Sequence, residues 1–124
     1  MTCEQIIQSV DELMPSAYST EQKVAWLSQL DGKVSAEVIM THEHICGELM
    51  TVYDGDYDES TELIIPSPYG EDVYTYYLMA RISAMNAELA KYNQYITLYN
   101  TAYQQWAGHY GRTHKPLNRG RLRF

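Results

Sequence analysis

One phenylalanine and two cysteines, Cys3 and Cys46, are all that this chain of 124 residues carries of those two types. Two cysteines cannot knit a disulfide framework, so a hydrophobic core must hold the fold, and both side chains are expected as thiols. No run approaches the roughly 18–20 consecutive apolar residues that a helix needs to span a bilayer, so no membrane partner is expected. Residues 1–20 carry Glu4, Asp11 and Glu12 and lack both a basic start and an apolar centre, so no secretory leader is read there and synthesis in the cytoplasm is expected. Phosphate-cradling glycine loops, a nucleophile elbow and CxxC pairs are missing as well. Neither catalysis nor a cofactor is therefore expected. Bases are scarce: nine Lys and Arg against sixteen Asp and Glu leave a net charge of −7, which argues against gripping nucleic acid through its phosphates.

What is present suits a globular domain. Apolar residues make up 45% of the chain and charged residues 20%, too apolar for a wholly disordered polypeptide, and the length allows one domain with a single modest core. The charges are unevenly spread. Arg112, Lys115, Arg119, Arg121 and Arg123 fall within residues 112–124, where no acid occurs, whereas residues 1–111 hold four bases and all sixteen acids. An acidic body with a basic tail favours contact between the tail of one molecule and the body of another, or with an acidic partner. The tail also contains Pro116 and Gly120 and carries Leu122 and Phe124, so it reads as an extended arm with apolar anchors. The expected division is a helical domain over 1–111 and a binding arm over 112–124.

Periodicity predicts an all-α bundle of three to four helices. Thr2 and Gln5 have capping-box spacing ahead of Ile6, Ile7, Val10, Leu13 and Met14, with Pro15 as the stop. Ser19 and Gln22 repeat the signal before Val24, Leu27, Leu30, Val34, Val38 and Ile45, so a second helix is expected to run through Gly32 to about Met50. Residues 51–62 are acidic and turn-forming and predict a solvated loop. Leu63, Ile64 and Ile65 make a short apolar run stopped by Pro66, suited to a docked extended segment. Ser67 as cap and Pro68 at the first helical position, followed by Glu71 and Asp72, then open a third helix.

Beyond this point Leu78, Ile82, Met85, Leu89, Tyr92, Ile96, Tyr99, Tyr103, Trp106 and Tyr110 alternate spacings of four and three, which is a heptad seam. A continuous helix over about 70–110 would reach on the order of 60 Å. Either it projects and is covered by another subunit, or it breaks into an antiparallel pair. The break is expected near Tyr92, with Asn93 as the new cap. Twelve tyrosines are more than one small core can face. Because tyrosine joins apolar area to a polar tip, Tyr92, Tyr95, Tyr99, Tyr103, Trp106 and Tyr110 are expected at subunit interfaces, with a half-buried wet helical surface as the alternative.

Two clusters invite a metal. His42 and Cys46 share a helix face at i, i+4 while His44 points away, so a zinc site would need a third ligand that no motif supplies. Asp54, Asp56 and Asp58 imitate the start of a calcium loop, but Glu59 stands where glycine is required and Ile65 where the bidentate glutamate belongs. A metal-dependent enzyme using His42, His44 and Cys46 is one alternative function; a cytosolic regulatory protein that binds a partner helix along the heptad seam is another.

Three stretches together carry a likeness: WLSQLDGKV (Trp26 to Val34), ELIIP with SPYGEDVYTYYLMARI (Ser67 to Ile82), and KYNQYITLYNTAYQQWAGHYGRTHKP (Lys91 to Pro116). Over about residues 20–116 the chain resembles the small helical head-to-tail connector proteins of tailed bacteriophages and Gram-positive prophages, also called head completion or adaptor proteins. The resemblance implies a homo-oligomeric ring, usually dodecameric, in the virion neck. Such a ring sits beneath the portal protein, extends the DNA channel, and gives a stopper or tail protein a docking surface. It also implies that Arg112, Lys115, Arg119, Arg121, Leu122, Arg123 and Phe124 form the arm that reaches the portal or an adjacent subunit. DNA would pass without sequence-specific binding, repelled at close range by the acidic wall.

Overall fold

The structure is a computed structural model that describes residues 2–36 and 55–113. Four helices account for most of it, in the order α1 (Cys3–Leu13), α2 (Thr20–Val34), α3 (Tyr69–Met85) and α4 (Leu89–Thr113). Among the described residues the only β pairing is an isolated antiparallel bridge between Thr2 and Glu62. The all-α expectation holds.

The two helix starts read from spacing are built as the side-chain chemistry requires. Thr2 caps α1 and accepts from the Gln5 backbone amide, while the Gln5 side chain accepts from the Thr2 amide at 2.9 Å. Ser19 caps α2 by accepting from the Gln22 amide. Each cap satisfies donors that the first helical turn leaves unpaired. Gly32 lies inside α2 without interrupting it. The expected continuation to Met50, and with it Val38 and Ile45, falls outside the described residues beyond 36.

The start of α3 differs from expectation by one position. Pro68, joined to Ser67 by a cis peptide bond, is itself the cap, and the helix begins at Tyr69. The Ser67 hydroxyl hydrogen-bonds to the Glu71 carboxylate at 2.5 Å, so it caps no backbone amide. In its place the Gly70 amide donates to the Pro66 carbonyl at 2.9 Å, which folds the preceding segment against the helix start. That approach explains the glycine: a Cβ on Gly70 would lie 2.4 Å from the Ile65 carbonyl oxygen.

The long heptad seam does break, but at residues 86–88 and not at Tyr92–Asn93. Asn86 ends α3, Ala87 adopts a left-handed φ of 58°, and the Glu88 and Ala87 amides donate to the Ser83 and Ala84 carbonyls. These are the two bonds of a Schellman turn. The Tyr92 amide then bonds to the Glu88 carbonyl and starts α4 at once. Sequence reasoning missed the turn because alanine occupies the left-handed position where glycine is the usual signal. Asn93 lies inside α4 and caps nothing.

The turn makes α3 and α4 an antiparallel hairpin, so the two halves of the seam face each other. Tyr77 packs on Tyr99 with ring centroids 5.5 Å apart, and Tyr69 stacks on His109 at 5.1 Å. Helices α1 and α2 pack on α3 from the other side. Ile6, Val10, Leu27, Leu30, Val34, Val73, Leu78 and Ile82 are all buried there, and Leu63 and Ile65 of the predicted docked segment join them.

Candidate interaction surface

The chemistry of the described part concentrates at one buried node. Asp31, on the inner face of α2, is fully buried, and its carboxylate accepts from the Tyr57 hydroxyl at 2.5 Å, from the Tyr74 hydroxyl, and from the Ile64 amide at 3.1 Å. Tyr74 in turn accepts from the Ile65 amide at 2.9 Å. A carboxylate stripped of water is costly unless donors surround it, and here three do. Burial pushes Asp31 above the ordinary carboxylate value, against the opposing pull of the Tyr57, Tyr74 and Ile64 donors. Burial, then the Asp31 charge, raises Tyr74 well above the usual phenol range. The node ties residues 57–65 to α2 and α3, so its work is to dock the acidic segment onto the bundle.

Cys3 lies buried at the start of α1, a free thiol pushed up to about 12 by burial and then by the negative charges of Asp31 and Asp58. It is a core residue and a poor nucleophile. Cys46 lies outside the described residues, as do His42 and His44. The described residues contain no group of three or more metal-ligating side chains. Asp54 of the imitation calcium loop is outside them too. Within 55–62, Asp58 accepts from the Ser60 amide and hydroxyl and from the Thr61 hydroxyl, which together hold its carboxyl below the ordinary range. The three bonds, all to Oδ1, close a local turn.

The six aromatic residues expected at subunit interfaces divide into two groups. Tyr99, Trp106 and Tyr110 are buried by their own chain, and Tyr103 is half-buried in the same ladder, with centroid spacings of 5.8, 6.1 and 5.5 Å from Tyr99 through to Tyr110. Their burial is accounted for by the hairpin. Tyr92 and Tyr95, nearer the turn, are half-buried as well, and Tyr95 packs against the core. Tyr18 meets Trp26 edge-on with ring centroids 5.6 Å apart, and the Arg81 guanidinium lies over the Trp26 ring, 5.2 Å from its centroid.

Of the predicted arm, Arg112 is exposed in the last turn of α4, where its charge complements the helix dipole. Lys115, Arg119, Arg121, Leu122, Arg123 and Phe124 lie outside the described residues.

Sequence reasoning did not anticipate the apolar surface at the α3–α4 turn. Met85 and Leu89 belong to the seam, yet they sit at its apex, where neither helix can cover them, and are 53% and 70% exposed. Beside them lies a groove of about 350 Å³ lined by Ser83, Ala84, Ala87, Glu88, Leu89 and Tyr92. The Ser83 hydroxyl is buried and finds no hydrogen-bond partner among the described residues. No described helix is long and apolar enough to cross a membrane. Comparison with protein families, with curated proteins and with solved structures yields no match to this chain.

Proposed function

We propose that this chain is a structural subunit of the neck of a tailed bacteriophage or Gram-positive prophage, a head-to-tail connector that forms a ring under the portal protein. In that role it continues the DNA channel from the head and presents a docking surface to a stopper or tail protein. It carries out no reaction and needs no cofactor.

The observation that carries the reading is where the stretches resembling that family meet. Asp31 of WLSQLDGKV, Ile64 and Ile65 of ELIIP and Tyr74 of SPYGEDVYTYYLMARI join in one buried hydrogen-bonded node. Tyr99 of the α4 stretch packs on Tyr77 of the α3 stretch. The likeness therefore lies in the residues that build the bundle. The charge pattern adds to it. Glu4, Glu12, Glu21, Asp56, Asp58, Glu59, Glu62 and Asp72 are all exposed, and negative charges of this kind repel phosphates. The basic residues gathered in 112–124 supply the joining contacts.

Immunogold labelling of intact virions, made from the genome that encodes the chain, tests the assignment. Label confined to the head–tail junction is expected. Virions that lack the chain, or carry it elsewhere, would overturn the proposal.

A further inference from the structure

We infer that the outer face of α4 joins two copies of this chain, α4 packing antiparallel on α4 about a two-fold axis level with Tyr99. The contact stands on α4 alone and does not draw on the neck assignment.

Helix α4 packs on α3 with one side and leaves the other uncovered by the described residues. Ala90, Gln94, Thr97, Thr101, Gln104 and Gly108 are all exposed on that side, at alternating spacings of four and three. They form a second seam, about 27 Å long at 1.5 Å per residue, opposite the one that faces α3. Charge is missing from it. Residues 92–111 hold no Asp, Glu, Lys or Arg, in a chain of which 20% is charged. The solvent side of a surface helix ordinarily carries charge, and loss of charge marks the centre of an interface. The threonines agree with this. The Thr97 hydroxyl donates to the Asn93 carbonyl at 2.8 Å and the Thr101 hydroxyl to the Thr97 carbonyl at 3.1 Å, so both donors stay satisfied when water is expelled.

Two observations identify the occupant as a second copy. The first is charge. The chain carries −7 and exposes Glu4 and Glu12 on α1, Glu21 on α2 and Asp72 on α3, so copies meeting through those elements repel. Neutral α4 meets its own likeness without that cost. The second is the symmetry of the pattern. An isologous contact sets residue i against j and j against i. Turned antiparallel about Tyr99, the seam sets Thr97 against Thr101, Gln94 against Gln104 and Ala90 against Gly108, each with a side chain of its own size class. Glutamine amides carry both donor and acceptor and so can bond to each other. Beside the axis Leu98, 39% exposed in the single chain, meets Leu98 of the second copy and is covered. The Arg112 guanidinium overhangs one end of the seam, 3.4 Å from where a Cβ on Gly108 would lie, and as the far end of an exposed side chain it moves aside. A ring of purely cyclic symmetry has no such two-fold axis, so the pair is a state of the free chain.

Sedimentation equilibrium of the full chain tests the contact. One helix pair buries no more than the low end of the roughly 1,200–2,000 Å² typical of stable interfaces, so dimers are expected at about 10–100 μM. The double variants T97E/T101E and T97K/T101K set like charges against each other in both central layers. Each should stay monomeric with its helical circular dichroism intact, since both positions are exposed. Mixed in equal amounts, the two should pair 1:1, at least about tenfold more tightly than either pairs with itself. Single changes read the register: T97E should pair more tightly with T101K than with T97K, because antiparallel packing opposes positions 97 and 101. A wild type that stays monomeric to millimolar concentration, a like-charged variant that dimerises as the wild type does, or double variants that fail to pair would overturn the contact. Equal pairing in the two single-change mixtures would overturn it too. So would loss of helical signal in either double variant, since another part of the same chain, 37–54 included, would then already cover the face.

Discussion

Replacing Asp31 with alanine removes the acceptor shared by Tyr57, Tyr74 and the Ile64 amide and leaves buried donors unpaired. The expected cost is about 2–4 kcal/mol, read from the denaturant midpoint, while an exposed acid such as Glu12 should be replaceable within about 0.5 kcal/mol. The sign of the pH dependence follows from the raised carboxyl. Asp31 holds its proton more firmly in the folded chain than in the unfolded one, whose value is near 3.8. Its contribution to stability is therefore greatest below that value and falls as pH rises through the raised folded value. The stability difference between wild type and Asp31→Asn should shrink with rising pH across that window and level off above it; a difference that grows would refute the assignment. Cys3, held protonated by burial, should resist alkylation at neutral pH in the folded chain and react once the chain is unfolded, as peptide mass mapping would register. Nothing in the sequence around Asp31 marks it out, because DGK reads as a polar helix face and the donors come from residues 26 to 43 positions away.

Local chemistry was readable in the helices wherever it was self-contained. The caps at Thr2 and Ser19 involve partners three residues on, and the structure builds both. The start of α3 was displaced by one residue because Ser67 spends its hydroxyl on Glu71, a choice spacing cannot reveal. At the hairpin turn, Ala87 hides a left-handed residue behind a good helix former. Ala87→Gly should accordingly raise stability by up to about 1 kcal/mol, measured by thermal unfolding, since glycine adopts that backbone without the Cβ clash. Gly70→Ala should do the reverse and cost about 1–3 kcal/mol, because the Ile65 carbonyl stands in the way of a Cβ and cannot retreat without releasing Ile65 from the core. A neutral Gly70→Ala would mean that the docked segment is looser than the Pro66–Gly70 hydrogen bond implies.

At the scale of the molecule, the periodic pattern correctly announced a bundle, and the seam correctly marked residues that face apolar neighbours. Period left open whether those neighbours belong to the same chain, and weak helix propensity near Tyr92 favoured the antiparallel pair that the structure forms, with its turn at 86–88 instead. Tyr99, Trp106 and Tyr110 find their cover on the hairpin, whereas Met85 and Leu89 at its apex stay exposed, as do Leu13 and Leu98 elsewhere. Period alone is blind to this because an intramolecular hairpin and an intermolecular coil bury the same positions. The charge partition was legible from the first reading, and the neck assignment draws on it directly. Such an assignment makes a quantitative demand on assembly. Native mass measurement of purified portal rings mixed with an excess of this chain tests it most directly. The account predicts that one symmetric ring of copies is added to each portal, lost when residues 112–124 are removed although the truncated chain keeps its helical signal. Portals that gain no mass, or that gain the same ring from the truncated chain, would contradict it.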